Sequence, residues 1–179
     1  MKALISTIIV SMFFFVNAFA QGTATQTVKV NVPSVALISV AEPTGGLTLE
    51  LKAPTTAGEW LTAGTSATNS ESYLNVSSVK KINNRTIAVK ATGIADGLTL
   101  KVESAAVKNA TGALGAPGSE VTLTSSDQTL ISGIKSGYTG TGLDNGFQLT
   151  YTLGVDASKL GDLTEQTTAS VVITYTITE

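Results

Sequence analysis

The chain has 179 residues, with 11 basic and 13 acidic side chains, a net charge of −2, and neither cysteine nor histidine. Without these two residue types it lacks the usual zinc, copper and iron ligands, a cysteine nucleophile and the base of a Ser-His-Asp triad. The basic residues form no cluster of the kind that phosphate binding requires, which argues against a nucleic-acid partner. We therefore expect a non-enzymatic protein without a cofactor.

Residues 1–20 have the pattern of a secretory signal peptide. Lys2 precedes a mostly apolar run from Ala3 to Val16, and small residues close the segment at Ala18 and Ala20. The run is short for a membrane-spanning helix, which needs about 20 apolar residues. We expect cleavage after Ala20 and an exported domain, residues 21–179, without a membrane span. Its location would be the periplasm, the cell surface or the medium.

The first part of the mature chain alternates between apolar and polar residues, as strands do. The first predicted strand places three valines on one face: Val28, Val30 and Val32. Pro33 ends or bends that strand. The next run, residues 35–40, has apolar residues in both alternating sets and is predicted to be buried on both faces. A third predicted strand, Leu47–Leu51, follows a turn signal rich in proline and glycine.

Later runs with the same period complete the predicted strands. They are Ile87–Ala91, Leu98–Val102, Val121–Leu123, Leu130–Ile131, Phe147–Leu153 and Val171–Ile177. Tight turns such as Ala95-Asp96-Gly97 separate them, and a helical turn is predicted only after Asp156, a suitable N-cap. About ten short strands with frequent turns predict an all-β fold, a single-domain antiparallel β-sandwich of the Ig-like or pilin-like type.

Two aromatic residues are candidate ligand contacts. Trp60 is the only tryptophan and lies in a polar stretch. It would be either an exposed platform for a sugar ring or a plug that closes one end of the core. The plug is the preferred interpretation, because tryptophans are usually well buried. Tyr138 lies in a glycine-rich segment that we interpret as a long loop, held in place by burial of the Tyr138 ring.

Fragments of catalytic and metal-binding motifs also occur. Ser77-Ser78-Val79-Lys80 fits the S-x-x-K motif of penicillin-recognising enzymes, which requires a helix, whereas this segment falls among predicted strands. No two acidic residues stand in a recognisable frame for a hydrolase that uses paired carboxylates. Asp144-Asn145-Gly146 offers oxygen ligands but lacks the spaced acids of a calcium loop, so a plain hairpin turn is favoured.

Several segments also resemble a known group of proteins. They are Ile131–Ile134, Tyr138–Gly140, Leu149–Leu153 and Val171–Ile177. With these segments, roughly the last two-thirds of the chain resembles uncharacterised secreted β-sandwich proteins of Bacteroidota. More loosely, the two ends resemble spore-coat-U-like and fimbrial subunits. The resemblance implies export and a sandwich fold, and it transfers no active site.

These features lead to two alternative functions. The first is an exported structural or adhesive protein, a fimbrial-type subunit that assembles through Gln26–Val32 with itself or with other surface subunits. In the simpler version of this first alternative, that strand stays in its own sheet and the protein is monomeric. The second is an extracellular carbohydrate-binding module that contacts glycans through Trp60 or Tyr138.

Overall fold

A computed structural model of the chain describes residues 22–63, 67–165 and 169–179. The predicted signal peptide, residues 1–20, lies outside the described residues. The described chain falls into two units, of which one ends at Val32 and the other spans Pro33–Glu179. Residues 22–34 contain no strand or helix, whereas every strand of the described chain lies in the second unit.

Thirteen strands lie within the described residues. In chain order they are β1 (Val35–Ala41), β2 (Leu51–Lys52), β3 (Thr62–Ala63), β4 (Thr68–Val79), β5 (Arg85–Thr92), β6 (Leu98–Ser104), β7 (Thr111–Gly112), β8 (Ala116–Pro117), β9 (Val121–Thr122), β10 (Gln128–Ile134), β11 (Gly137–Tyr138), β12 (Phe147–Val155) and β13 (Val172–Thr178). All of their pairings are antiparallel.

Two sheets form the sandwich. The larger has seven strands in the order β7-β11-β4-β12-β6-β9, with β1 paired to the other side of β4. The smaller has four strands in the order β13-β5-β10-β8. A separate hairpin joins β2 to β3. This arrangement confirms the predicted all-β antiparallel sandwich.

The core consists of side chains that alternate along the strands of both sheets. In the larger sheet, Leu74, Val102 and Phe147 are fully buried, and Val89 and Ile131 are fully buried in the smaller sheet. Because successive side chains of a strand point to opposite faces, every second residue reaches this shared interior. The apolar interior is therefore made almost entirely of aliphatic residues.

A short 3₁₀ helix, Ala157–Asp162, follows β12. Asp156 caps it, because its carboxylate accepts hydrogen bonds from the Ser158 amide at 3.0 Å and from the Ser158 hydroxyl at 2.6 Å. These bonds stabilise the ionised carboxylate and lower the pKa of Asp156. The predicted helical turn and its cap are confirmed.

Three predictions from the pattern differ from the structure. The first and third predicted strands are largely absent from the part of the chain that the structure describes: residues 27–32 belong to no strand, and of the run Leu47–Leu51 only Leu51 belongs to one. Leu47 and Leu49 nevertheless pack against the core from a loop. The third difference is β4, a twelve-residue strand that the alternating runs of the sequence do not predict. Alternation indicates which side chains are buried, but a strand forms only where a second strand can hydrogen-bond to its backbone.

Candidate functional site

The segment Gln26–Val32, called here the valine segment, exposes its three predicted core residues. The side chains of Val28, Val30 and Val32 are 71%, 81% and 69% exposed. The intervening residues Lys29 and Asn31 are exposed as well. Three apolar side chains at two-residue spacing are thus presented to solvent on a stretch that has no strand partner in the described chain.

Strand β1 lies at the edge of the larger sheet and retains apolar side chains on both of its faces. Its register sets Ile38 opposite the buried Val76 and Leu37 opposite Ser77. Leu37 is 64% exposed on the outer face, and Val40 is 40% exposed although its partner Leu74 is fully buried. The prediction that this strand is buried on both faces is therefore wrong. The reason is its position at the edge of the sheet, because within the described residues β1 pairs with β4 alone and no strand pairs with its second side.

Hydrogen bonds fix the beginning of β1. The Ser34 hydroxyl donates to the Val79 carbonyl at 3.1 Å, and the buried Arg85 donates to the Ser34 hydroxyl oxygen at 2.8 Å. Arg85 also donates to the Val79 carbonyl at 3.2 Å. Since Arg85 belongs to β5 of the smaller sheet, its side chain joins the two sheets at the point where β1 starts.

Tyr138 lies on the outer face of the larger sheet. Both Tyr138 on β11 and Leu37 on β1 pair directly with Ser77 of β4, so the three side chains form one row across three strands. A depression of about 350 Å³, the outer notch, lies on the Tyr138 side of Ser77 and is lined by both residues. Val35 and Val79 line its other side. The Tyr138 ring is 54% exposed, so the prediction that it is buried to hold the loop is wrong.

Other residues hold the loop that follows Tyr138. Thr139 is fully buried, and its hydroxyl accepts a hydrogen bond from the Val76 amide at 3.0 Å. Asn75 donates to the carbonyls of Gly142 and Asn145 and accepts from the Gly142 amide at 2.8 Å. These bonds anchor the loop through the main chain. Tyr138 is therefore free to present its ring to solvent.

Trp60 lies in the loop of the β2–β3 hairpin, immediately before Leu61 and β3. Its side chain is 51% exposed, so the preferred prediction of a core plug is wrong. The aliphatic residues of both sheets fill the interior without it. Trp60 is not among the residues that line the outer notch, so the structure does not bring the two aromatic candidates together at that site.

The fragments of catalytic and metal-binding motifs have structural roles. Ser77–Val79 lie on β4 and not on a helix, as the interpretation of the S-x-x-K fragment expected. In the turn before β12, the Asp144 carboxylate accepts a hydrogen bond from the Tyr73 hydroxyl at 2.9 Å. Asp144 adopts a left-handed φ of 63°. No group of three or more acidic side chains that could hold a metal ion occurs in the described part of the chain.

No family model matches the chain, and neither does any curated protein or solved structure. None of the helices in the described ranges is long and apolar enough to cross a membrane. The exposed apolar residue that the sequence analysis did not predict is Leu37, which was expected to be buried. A signal was present, because β1 contains no charged residue, and charges are common on strands that end a sheet.

Proposed function

We propose that this chain is an exported, non-enzymatic structural protein whose copies assemble through the valine segment. Exposure of Val28, Val30 and Val32 at two-residue spacing is the observation that supports assembly most strongly. The signal-peptide pattern of residues 1–20 supports export, and the lack of histidine and cysteine in the sequence supports a role without catalysis.

Strand addition is the binding mode that this segment fits. An extended peptide that joins the edge of a sheet gains main-chain hydrogen bonds, while alternate side chains are buried against the acceptor. Full burial of each valine contributes about 1.5–3 kcal/mol, so three valines give a substantial driving force. The polar residues between them, including Lys29, remain on the solvent side of the added strand.

Sedimentation and electron microscopy of residues 21–179 test the proposal. We expect assemblies whose size increases with protein concentration. Val30→Pro should abolish them, because proline removes an amide in the middle of the added strand. Val30→Thr is the matched control, since it keeps a β-branched side chain and the amide, and it should assemble detectably. A wild-type protein that stays monomeric at every concentration, or a Val30→Pro variant that assembles normally, would refute the proposal.

A second candidate function is carbohydrate binding, which the exposure of Tyr138 and Trp60 favours. Exposed aromatic rings offer flat apolar surfaces on which a sugar ring can stack, and Tyr138 stands beside the outer notch. Titration with a glycan panel should change Trp60 fluorescence if Trp60 is the contact. If Tyr138 is the contact, Tyr138→Ala should remove binding seen by calorimetry. An absence of binding to every glycan in both measurements would reject this candidate.

A further inference from the structure

We infer that the free edge of β1 is the acceptor for the valine segment of a second copy of this chain. This inference rests on the proposed assembly and adds the surface that the segment joins. The structure supports it through the composition and exposure of β1, through the lengths of the sheet edges, and through the residues that connect the valine segment to β1.

Length separates β1 and β13 from the other edges of the two sheets. Within the described residues, β7, β8 and β9 each contain only two residues. β1 and β13 each contain seven, the same number as the valine segment from Gln26 to Val32. A seven-residue strand can form a full ladder of hydrogen bonds only on one of these two edges.

Chemistry then favours β1 over β13. The exposed side chains of β13 include Thr174, Thr176 and Thr178, while its alternate apolar residues are partly buried. Neither strand carries a charged residue, but β1 leaves two large apolar side chains exposed on opposite faces, Leu37 and Val40, whereas β13 exposes only Val172. Sheet edges that stay unpaired are commonly guarded by charges, and a long apolar edge is a template for another strand.

The spacing of apolar residues also matches. The inward-facing residues of β1 are Ala36, Ile38 and Val40, and they pair with core-facing residues of β4. They stand two residues apart, as do the three valines of the donor. Aligning Val30 with Ile38 superimposes the two sets whether the strands run parallel or antiparallel. In either direction Lys29 and Asn31 then lie on the outer face, in contact with solvent.

The connection between donor and acceptor points to a second copy. Only Pro33 and Ser34 separate the valine segment from β1. A tight two-residue hairpin requires a positive φ at its first loop position, and proline is held near about −65°. The segment therefore cannot return onto its own β1 through that turn. Each copy instead donates one strand and accepts another through a different surface, an arrangement that propagates as an open chain.

Disulfide cross-linking tests the acceptor, because the protein has no native cysteine. Purified Val30→Cys and Ile38→Cys proteins are mixed and mildly oxidised. We expect covalent heterodimers at several times the yield of homodimers from either protein alone. Leu37→Cys is the matched control for Ile38→Cys, since it neighbours Ile38 but points to the opposite face, and it should give little heterodimer.

Three results would overturn the inference. Ile38→Cys homodimers as the main product would indicate that two β1 edges pair with each other. Equal or greater cross-linking to Leu37→Cys would show that the proposed register is wrong. If Ile38→Cys fails to fold, the exposed Val40 replaces it: Val40→Cys should link to Val28→Cys in an antiparallel pair or to Val32→Cys in a parallel pair, and failure with both refutes β1 as acceptor.

The Val30→Pro variant distinguishes the proposed assembly through the valine segment from the inference that β1 is its acceptor. If that variant loses assembly while no cysteine on β1 cross-links to the valine segment, the proposed function stands and β1 is not the acceptor. If Val30→Pro assembles like the wild-type protein, the proposed function itself is refuted.

Discussion

The hydroxyl oxygens of Tyr151 and Tyr175 lie 2.6 Å apart and share a hydrogen bond between the two sheets. Tyr151 comes from β12 of the larger sheet and is buried, whereas Tyr175 comes from β13 of the smaller sheet and is partly buried. Each tyrosine hydroxyl therefore has the other as its hydrogen-bond partner in a largely aliphatic interior. The pair fixes β13, an edge strand, to the opposite layer of the sandwich.

Removing one hydroxyl of this pair should destabilise the fold. In Tyr175→Phe the Tyr151 hydroxyl loses its partner inside the protein, and an unsatisfied buried hydroxyl costs about 1–3 kcal/mol. Chemical denaturation should show a reduction of the unfolding free energy in this range. Tyr138→Phe, which alters an exposed hydroxyl, should change it by less than about 0.5 kcal/mol. Equal losses in the two variants would contradict this account of the pair.

The same pair predicts lower stability in alkali. Burial disfavours the charged phenolate and raises the pKa of both Tyr151 and Tyr175 above the ordinary value of 10.0. Above about pH 10 the unfolded state therefore loses protons that the folded state keeps, so stability falls as the pH rises. Below that pH these two groups contribute no pH dependence.

Thermal unfolding between pH 8 and 11.5 measures this effect. Each tyrosine contributes a decline of at most about 1.4 kcal/mol per pH unit above its unfolded-state pKa. The double variant Tyr151→Phe/Tyr175→Phe should lose stability less steeply than the wild-type protein in this range. Identical slopes for the two proteins would assign the decline to other groups.

Glycine at position 146 should be far less replaceable than glycine at position 142. Both have a left-handed φ, of 85° and 84° respectively. A Cβ at Gly146 would collide with the Leu74 carbonyl oxygen, whereas a Cβ at Gly142 meets open space. We expect Gly142→Ala to cost about 1–2 kcal/mol from backbone strain alone, and Gly146→Ala to cost distinctly more. Comparable losses of unfolding free energy would show that the backbone shifts to relieve the collision.

A lysine on β1 should weaken assembly without weakening the fold. Ser39 is exposed on the outer face of β1. Natural edge strands often carry charged residues that prevent another strand from pairing with them, and a lysine at position 39 would do the same. Ser39→Lys should sediment as smaller species than the wild-type protein while its melting temperature is nearly unchanged. Ser126→Lys adds the same charge to an exposed residue outside the strands and serves as the control. If both variants assemble equally poorly, net charge and not the β1 edge is responsible.

Much of the sandwich could be predicted from alternation because its central strands bury one face. The period-two runs at 87–91, 98–102 and 147–153 all lie within observed strands. The order of the strands in each sheet could not be predicted. Alternation indicates which side chains of a strand are buried, but it does not indicate which other strands pair with it. β1 illustrates this limit, since its sequence reads as a central strand and its position is at an edge.

The candidate contacts were harder to predict than the fold. Trp60 and Tyr138 were identified by residue type, and general burial statistics favoured the core for the former. Their exposure depends on long-range features: the β2–β3 hairpin for Trp60 and the pairing of β11 with Ser77 for Tyr138. No local pattern around either residue encodes these relationships.

The bonds of Ser34 to Val79 and Arg85 also have a mechanical consequence. Tension applied through the residues before Pro33 would reach its first side-chain anchor at Ser34, where hydrogen bonds connect β4 and β5. The applied force would therefore act on both sheets together, and β1 would not separate from the edge of the larger sheet first. Single-molecule pulling should therefore register a lower rupture force when Arg85 is replaced by methionine.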